Sequence, residues 1–170
     1  MELIIPTEKY YQSYVDAINE YKNNNVDTYD FLDVSQYDIF ERIEDFRLGR
    51  NLPENYVKGT YLWLVHDDEF IGEVSIRHSI TDALLRFGGN IGYGVRYSKW
   101  NKGLGTIMLS KALIYAKEVI GLKKVLITCN DNNIASARVI EKSGGILQDK
   151  IINVIDNVER ITRRYWIDIL

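Results

Sequence analysis

Apolar positions change their spacing several times along the chain, and each change marks an expected element. Leu3 to Ile5 reads as a short strand. Thr7 offers a helix cap, after which Tyr11, Val15 and Ile18, with Tyr10, Tyr14 and Tyr21, recur at helical spacing. The period is lost from Lys22 to Val34, a stretch rich in Asn and Asp that reads as a loop. Ser35 can cap a second helix, whose Ile39, Phe40, Ile43 and Phe46 make one apolar face, and Pro53 ends that region. Two alternating or continuous apolar runs, Tyr61–Val65 and Phe70–Ile76, flank the turn-like His66–Glu69 and predict a hairpin. A short helical insert, Thr81 to Phe87, precedes a strand from Asn90 to Arg96.

A glycine-containing turn then opens a long helix, Leu104 to Ile120. Its buried arc is expected to run through Gly105, Met108, Leu109, Ala112, Leu113, Ala116, Val119 and Ile120, with Gly121 as the stop. Lys124–Thr128 reads as a strand and Ile134–Lys142 as a helix stopped by Gly144 and Gly145. Ile146–Ile155 and Val158–Ile169 form a closing hairpin that turns at Asp156 and Asn157. The order β-α-α-β-β-β-α-β-α-β-β describes an α/β protein with a mixed sheet, whose strand pairing this order leaves open. No repeat or linker interrupts it, and 170 residues suit one domain over 1–170.

Charge and cysteine usage narrow the function classes. A formal net charge of −3 argues against a general nucleic-acid binder, which carries a basic face. The N-terminus has no basic patch followed by an apolar run, and no stretch approaches the ~20 apolar residues of a membrane helix, so the expectation is a cytoplasmic protein without a membrane partner. One cysteine, Cys129, cannot form an internal disulfide or a thiolate metal cluster, and no metal is expected.

The most informative stretch runs from Val95 to Thr106, a strand passing through a turn into a helix. Gly103 and Gly105 let backbone approach a ligand closely, and the first N–H groups of the helix lack internal partners at its positive end. Such a terminus suits a pyrophosphate, with Lys99 and Lys102 adding positive charge. A bare tight turn is the plainer reading of Gly-x-Gly alone. A dinucleotide fingerprint at Gly89, Gly92 and Gly94 is discounted, because those glycines run into β-like Val95–Arg96 and not into a helix.

Beyond that stretch, Gly88 to Arg96, Lys102–Gly105, Asn133–Ser136, Glu141–Gly145 and the ending Arg164–Ile167 together resemble the GNAT superfamily of acetyltransferases, specifically a bacterial group of predicted ones. The resemblance implies the GNAT fold, a mixed, mostly antiparallel sheet with a splayed central strand pair, flanked by about four helices. It implies acetyl-CoA as co-substrate and transfer of its acetyl group to a primary amine. Pantetheine would lie in the splay against Val95, Arg96 and Tyr97. The pyrophosphate would meet the amides of Asn101, Lys102, Gly103, Leu104, Gly105 and Thr106, and Asn133 and Ser136 would touch the cofactor from the other side. Three positions depart from the family, one of them Tyr97, where relatives often have Pro. Trp100 stands where the phosphate loop usually has Arg or Gln, and Ile140 stands where many relatives carry a tyrosine acid. Those departures keep a non-catalytic acetyl-CoA-binding sensor open as the alternative.

The chemistry still needs a base, since an amine of pKa ~10.4 is about three units too protonated at pH 7, a cost of ~4–5 kcal/mol. His78 and Glu73, on the strand beside Asn90–Arg96, are the candidates; a hydrogen-bonded structural histidine and a solvated strand carboxylate are the plainer readings. Val95 N–H is the resemblance-based donor to the thioester oxygen. Ser136 and Tyr165 are candidate acids for the departing thiol. Cys129 reads as inert packing and His66 as exposed. The acceptor is a small-molecule, peptide or protein amine. Asp27, Asp30, Asp33, Asp38, Glu41, Glu44 and Asp45 favour a cationic one, and a homodimer is a candidate assembly.

Overall fold

The computed structural model describes residues 1–26, 38–155 and 157–169. Among these, seven strands and five α-helices occur in the expected order: β1 (Glu2–Ile4), α1 (Tyr11–Asn23), α2 (Ile39–Leu48), β2 (Gly59–His66), β3 (Glu69–Arg77), α3 (Asp82–Arg86), β4 (Ile91–Val95), α4 (Leu104–Tyr115), β5 (Lys124–Asn130), α5 (Ile134–Lys142), β6 (Ile146–Ile155) and β7 (Val158–Asp168). The Ser35 cap and the Asp156 half of the last turn lie outside the described residues. The second helix is instead capped by Asp38, whose Oδ1 accepts from the N–H groups of Phe40 and Glu41, and it ends at left-handed Gly49, before Pro53.

The strands form two antiparallel sheets, in the orders β1-β2-β3-β4 and β5-β7-β6. No ladder joins β4 to β5, so the expected splay amounts to a full separation of the two sheets. Asn90, buried at the foot of β4, closes the gap. Its N–H donates to the Leu126 carbonyl at 2.7 Å, and its Oδ1 accepts from Leu126 N–H at 2.9 Å. Its Nδ2 donates to the Arg77 carbonyl of β3 at 3.2 Å, so one side chain binds a strand of each sheet.

β2 and β3 are buried on both faces, which is why their sequence reads as near-continuous apolar runs. Leu62, Leu64, Val74 and Ile76 meet Met108, Leu109 and Ala112 of α4 on one side. Trp63, Val65 and Phe70 meet Tyr14 and Ala17 of α1 and Ile39 and Ile43 of α2 on the other. Tyr14 stacks on Trp63 with ring centroids 4.6 Å apart, and Phe70 meets the Trp63 ring edge-on at 5.4 Å. Burying each such side chain contributes about 1.5–3 kcal/mol.

Candidate active site

The register of β3 and β4 decides what β4 offers. Gly72 faces Val95 and Glu73 faces Gly94. Arg96 N–H donates to the Ile71 carbonyl at 2.8 Å, so residues 71 and 96 form a hydrogen-bonded pair. Antiparallel ladders alternate, so at Val95 and Tyr93 the backbone N–H and C=O turn away from β3, toward the side where β5 has departed. The Val95 carbonyl confirms this direction: it accepts from the Tyr21 hydroxyl of α1 and from Trp100 Nε1 at 2.7 Å.

Beyond Val95 the chain passes through a turn of 3₁₀ helix, Tyr97–Lys99, and enters α4. Asn101 and Gly103 both have positive φ, and a Cβ on Gly103 would find nothing within 4 Å. No side chain caps α4, so its first N–H groups stay open at the positive end of a helix. Gly105 lets α4 pack on α5, since a Cβ there would lie 3.2 Å from Val139. An open strand edge leading into an uncapped helix start can take an extended amide chain ending in a pyrophosphate.

The GNAT acetyltransferase domain model matches residues 12–146. The chain belongs to the GNAT acetyltransferase family. Family membership carries acetyl-CoA-dependent N-acetyl transfer as the reaction class. No curated protein matches the chain significantly. Among solved structures it is similar to the microcin C7 self-immunity acetyltransferase MccE in complex with acetyl-CoA and AMP, with 20% identity and a TM-score of 0.71 over 98% of this chain and 91% of that one. It is similar to a chimera of the spermidine N-acetyltransferase SpeG from Vibrio cholerae and hSSAT, with 14% identity and a TM-score of 0.66 over 99% and 97%. A third similar structure, described as a probable acetyltransferase, has 19% identity and a TM-score of 0.72 over 98% and 91%. At these identities the likeness is one of fold.

Several residues expected at a GNAT cofactor site have their side chains committed elsewhere. Arg96 is paired with Glu20 at 2.6 Å and Glu69 at 3.2 Å, and Lys99 with Glu69 at 2.5 Å, which ties the end of β4 to α1 and to the β2–β3 turn. Tyr97 packs its ring 4.8 Å from Trp100. Asn133 caps α5, its Oδ1 accepting from Ser136 N–H at 3.0 Å. Lys102 donates to the Ser98 carbonyl at 3.2 Å and stays exposed, as do Asn101 and Gly103.

The catalytic candidates separate along β3. Glu73 is fully buried opposite Gly94, not solvated. Its Oε2 accepts from Trp63 Nε1 at 2.7 Å, while Oε1 has no partner among the described residues. Burial pushes its pKa up to about 8, with the Trp63 hydrogen bond opposing. Tyr14, whose hydroxyl also lacks a partner, is raised mainly by burial and then by Glu73. His78 lies beyond the foot of β4, roughly 20 Å along the strand from the level of Val95. Its Nε2 is 2.8 Å from Thr60 Oγ1, and burial, then nearby Lys58, lowers its pKa.

Tyr165, on β7, is separated from β4 by β5; its hydroxyl donates to Glu141 at 2.9 Å. Ser136 is instead brought to β4: its Oγ lies 3.0 Å from the Tyr93 hydroxyl. Burial raises the Tyr93 pKa, which the Ser136 contact opposes. The sequence reading missed Tyr93 and Tyr21 as site residues. Tyr93 stands between Gly92 and Gly94 in a motif the sequence already singles out, and that placement was the available signal. For Tyr21 the helical period identified only a core position.

The acids expected to draw a cationic acceptor are partly engaged. Asp38 caps α2, Glu44 pairs with Arg47 at 2.5 Å, and Asp45 with Arg50 at 3.2 Å. Asp27, Asp30 and Asp33 lie outside the described residues. Cys129 is buried and its thiol pushed up by burial, while His66 is exposed.

Proposed function

We propose that this protein transfers the acetyl group of acetyl-CoA to a primary amine by direct attack, with the amine entering on the α1/α2 face of β4. The observation that carries this reading is the Val95 edge, with backbone groups turned away from β3 beside the open start of α4. Acetyl-CoA supplies the acetyl thioester. Val95 N–H donates to the thioester oxygen as it becomes anionic, and the N–H groups of Leu104, Gly105 and Thr106 receive the pyrophosphate.

On the α1/α2 face, Gly94 carries no side chain opposite Glu73, which leaves a path from the reacting carbon toward that carboxyl. Glu73 takes the amine proton through a water, because the carboxyl itself is fully buried. As the C–N bond forms and the C–S bond breaks, the Tyr93 hydroxyl gives its proton to sulfur and Ser136 keeps that hydroxyl aligned. Tyr93 thus fills the acid role that Ile140 cannot. His78 is set aside as base because it stands at the other end of β3.

The test is acetyl transfer from acetyl-CoA to a panel of amines, followed as thiol release and as acetylated product by mass spectrometry. Turnover with at least one amine is expected. Acetyl-CoA binding with no thiol release on any amine would leave the sensor reading in its place.

A further inference from the structure

A cavity of about 200 Å³ opens on the α1/α2 face, between the end of α2, the loop before β2, strands β2 and β3, and α3. Phe46, Tyr56, Tyr61 and Phe87 stand in its walls, and Ser75 and Arg77 lie on its β3 side. Arg77 is the one charged side chain among the described residues lining it. Nη1 of its guanidinium donates to the carbonyls of Gly88 at 3.2 Å and Gly89 at 3.3 Å, which fixes the plane. No carboxylate among the described residues pairs with it, whereas Arg96, at the far end of β4, has two. Burial lowers its pKa, and only tyrosines oppose that. A partly buried guanidinium that faces a cavity with no anion among the described residues is poised to take one from a ligand.

The cavity continues the catalytic face. Glu73, Ser75 and Arg77 alternate along β3 and share one side of the sheet, so Arg77 stands roughly 13 Å along the strand from Glu73. Ser75 lies between them opposite Gly92, as Glu73 lies opposite Gly94. The two glycines of β4 therefore set no side chain of their own over the row that runs from the buried Glu73 and Ser75 to the cavity.

We propose that the cavity binds a carboxylate of the acceptor, so that the substrate is an amine carrying an acidic group across an apolar body, such as a short peptide, and not a polyamine. One planar cation with its plane already fixed matches one planar, singly charged anion. A phosphate monoester, at about −1.5 to −2, would call for a second cation, and the described lining residues offer none. The substrate class rests on the transfer reaction proposed above, but the carboxylate site can be tested without it.

Di-, tri- and tetrapeptides ending in phenylalanine, each as free acid and as C-terminal amide, are titrated calorimetrically into wild type and Arg77→Gln in the presence of CoA. Circular dichroism and acetyl-CoA affinity report whether the variant is folded, and Arg77→Lys serves as a second variant that keeps the charge without the fork. At least one acid is expected to bind tenfold or more tighter than its amide, a preference lost in Arg77→Gln and weakened in Arg77→Lys. Equal binding of every acid and amide, no binding of any acid, or a preference that survives Arg77→Gln would overturn the assignment. Arg77-dependent binding of acids, none of which is acetylated while another amine is, would support the cavity and refute its role in seating the acceptor.

Discussion

Glu73 carries the sharpest consequences at the scale of single residues. Its carboxyl is buried, half-satisfied and raised to about pH 8, whereas from sequence it was indistinguishable from a solvated strand acid. Burial comes from α1, whose Tyr14 packs on the Trp63 partner of Glu73, and that packing of distant elements is written in no local pattern. If Glu73 takes the amine proton, wild-type kcat/KM with a lysine-like amine should climb with pH and level off near pH 8, where the carboxyl becomes ionised. Glu73→Gln should be slower by roughly 10²-fold or more at neutral pH and keep climbing past pH 9, following the free amine. Parallel profiles for the two proteins would exclude the role.

The same group bears on stability. The folded state holds its proton up to about pH 8, while the unfolded chain releases it near ~4.3, so this group's effect is to lower stability as pH rises across that window. The urea midpoint of wild type should fall relative to that of Glu73→Gln between about pH 5 and pH 8. A midpoint difference that stays constant over that range would mean that the carboxyl is not neutral in the folded protein. Tyr93→Phe tests the acid: kcat should drop about tenfold or more with acetyl-CoA affinity unchanged. An unaltered kcat would return the thiol's proton to water.

Among elements, local periodicity located nearly every helix and strand, because the buried arcs and alternating faces are written into consecutive residues. Where it failed, a tertiary or backbone cause is visible. Val119 was expected in the buried arc of α4 but is 64% exposed, because the helix widens into a π-turn over Ala116–Ile120 and its later side chains rotate out of the arc. The separation of the sheets could not be read from the order of strands. The joint across that gap is made by Asn90, which the sequence presents only as a polar residue before a strand. Asn90→Ala would leave Leu126 N–H and the Arg77 carbonyl without their side-chain partners, and should cost about 2–4 kcal/mol in urea unfolding. A loss below about 0.5 kcal/mol would mean that the joint between β4 and β5 is held elsewhere.

For the whole molecule, the motifs around Gly103 and Asn133 point to one corner as the proposed cofactor seat, and the fold brings β4, α4 and α5 together there through Tyr93–Ser136 and Gly105–Val139. Those motifs could not convey how the corner is braced. Arg96, Lys99, Glu20 and Glu69 form an ion-pair cluster from three elements, and Tyr21 and Trp100 converge on one carbonyl. The acceptor side was least legible, because the cavity at Arg77 combines α2, α3, two strands and a loop that lie far apart in sequence.

Calorimetric titration of acetyl-CoA into wild type and Gly103→Asn asks most directly whether this corner seats the cofactor. Asparagine tolerates the left-handed backbone and has open space around its Cβ, but its side chain can cover the N–H groups at the start of α4. Affinity weaker by tenfold or more, about 1.4 kcal/mol, in a variant that melts like wild type is the expected result. Undiminished affinity in that folded variant would contradict a pyrophosphate seat at the start of α4.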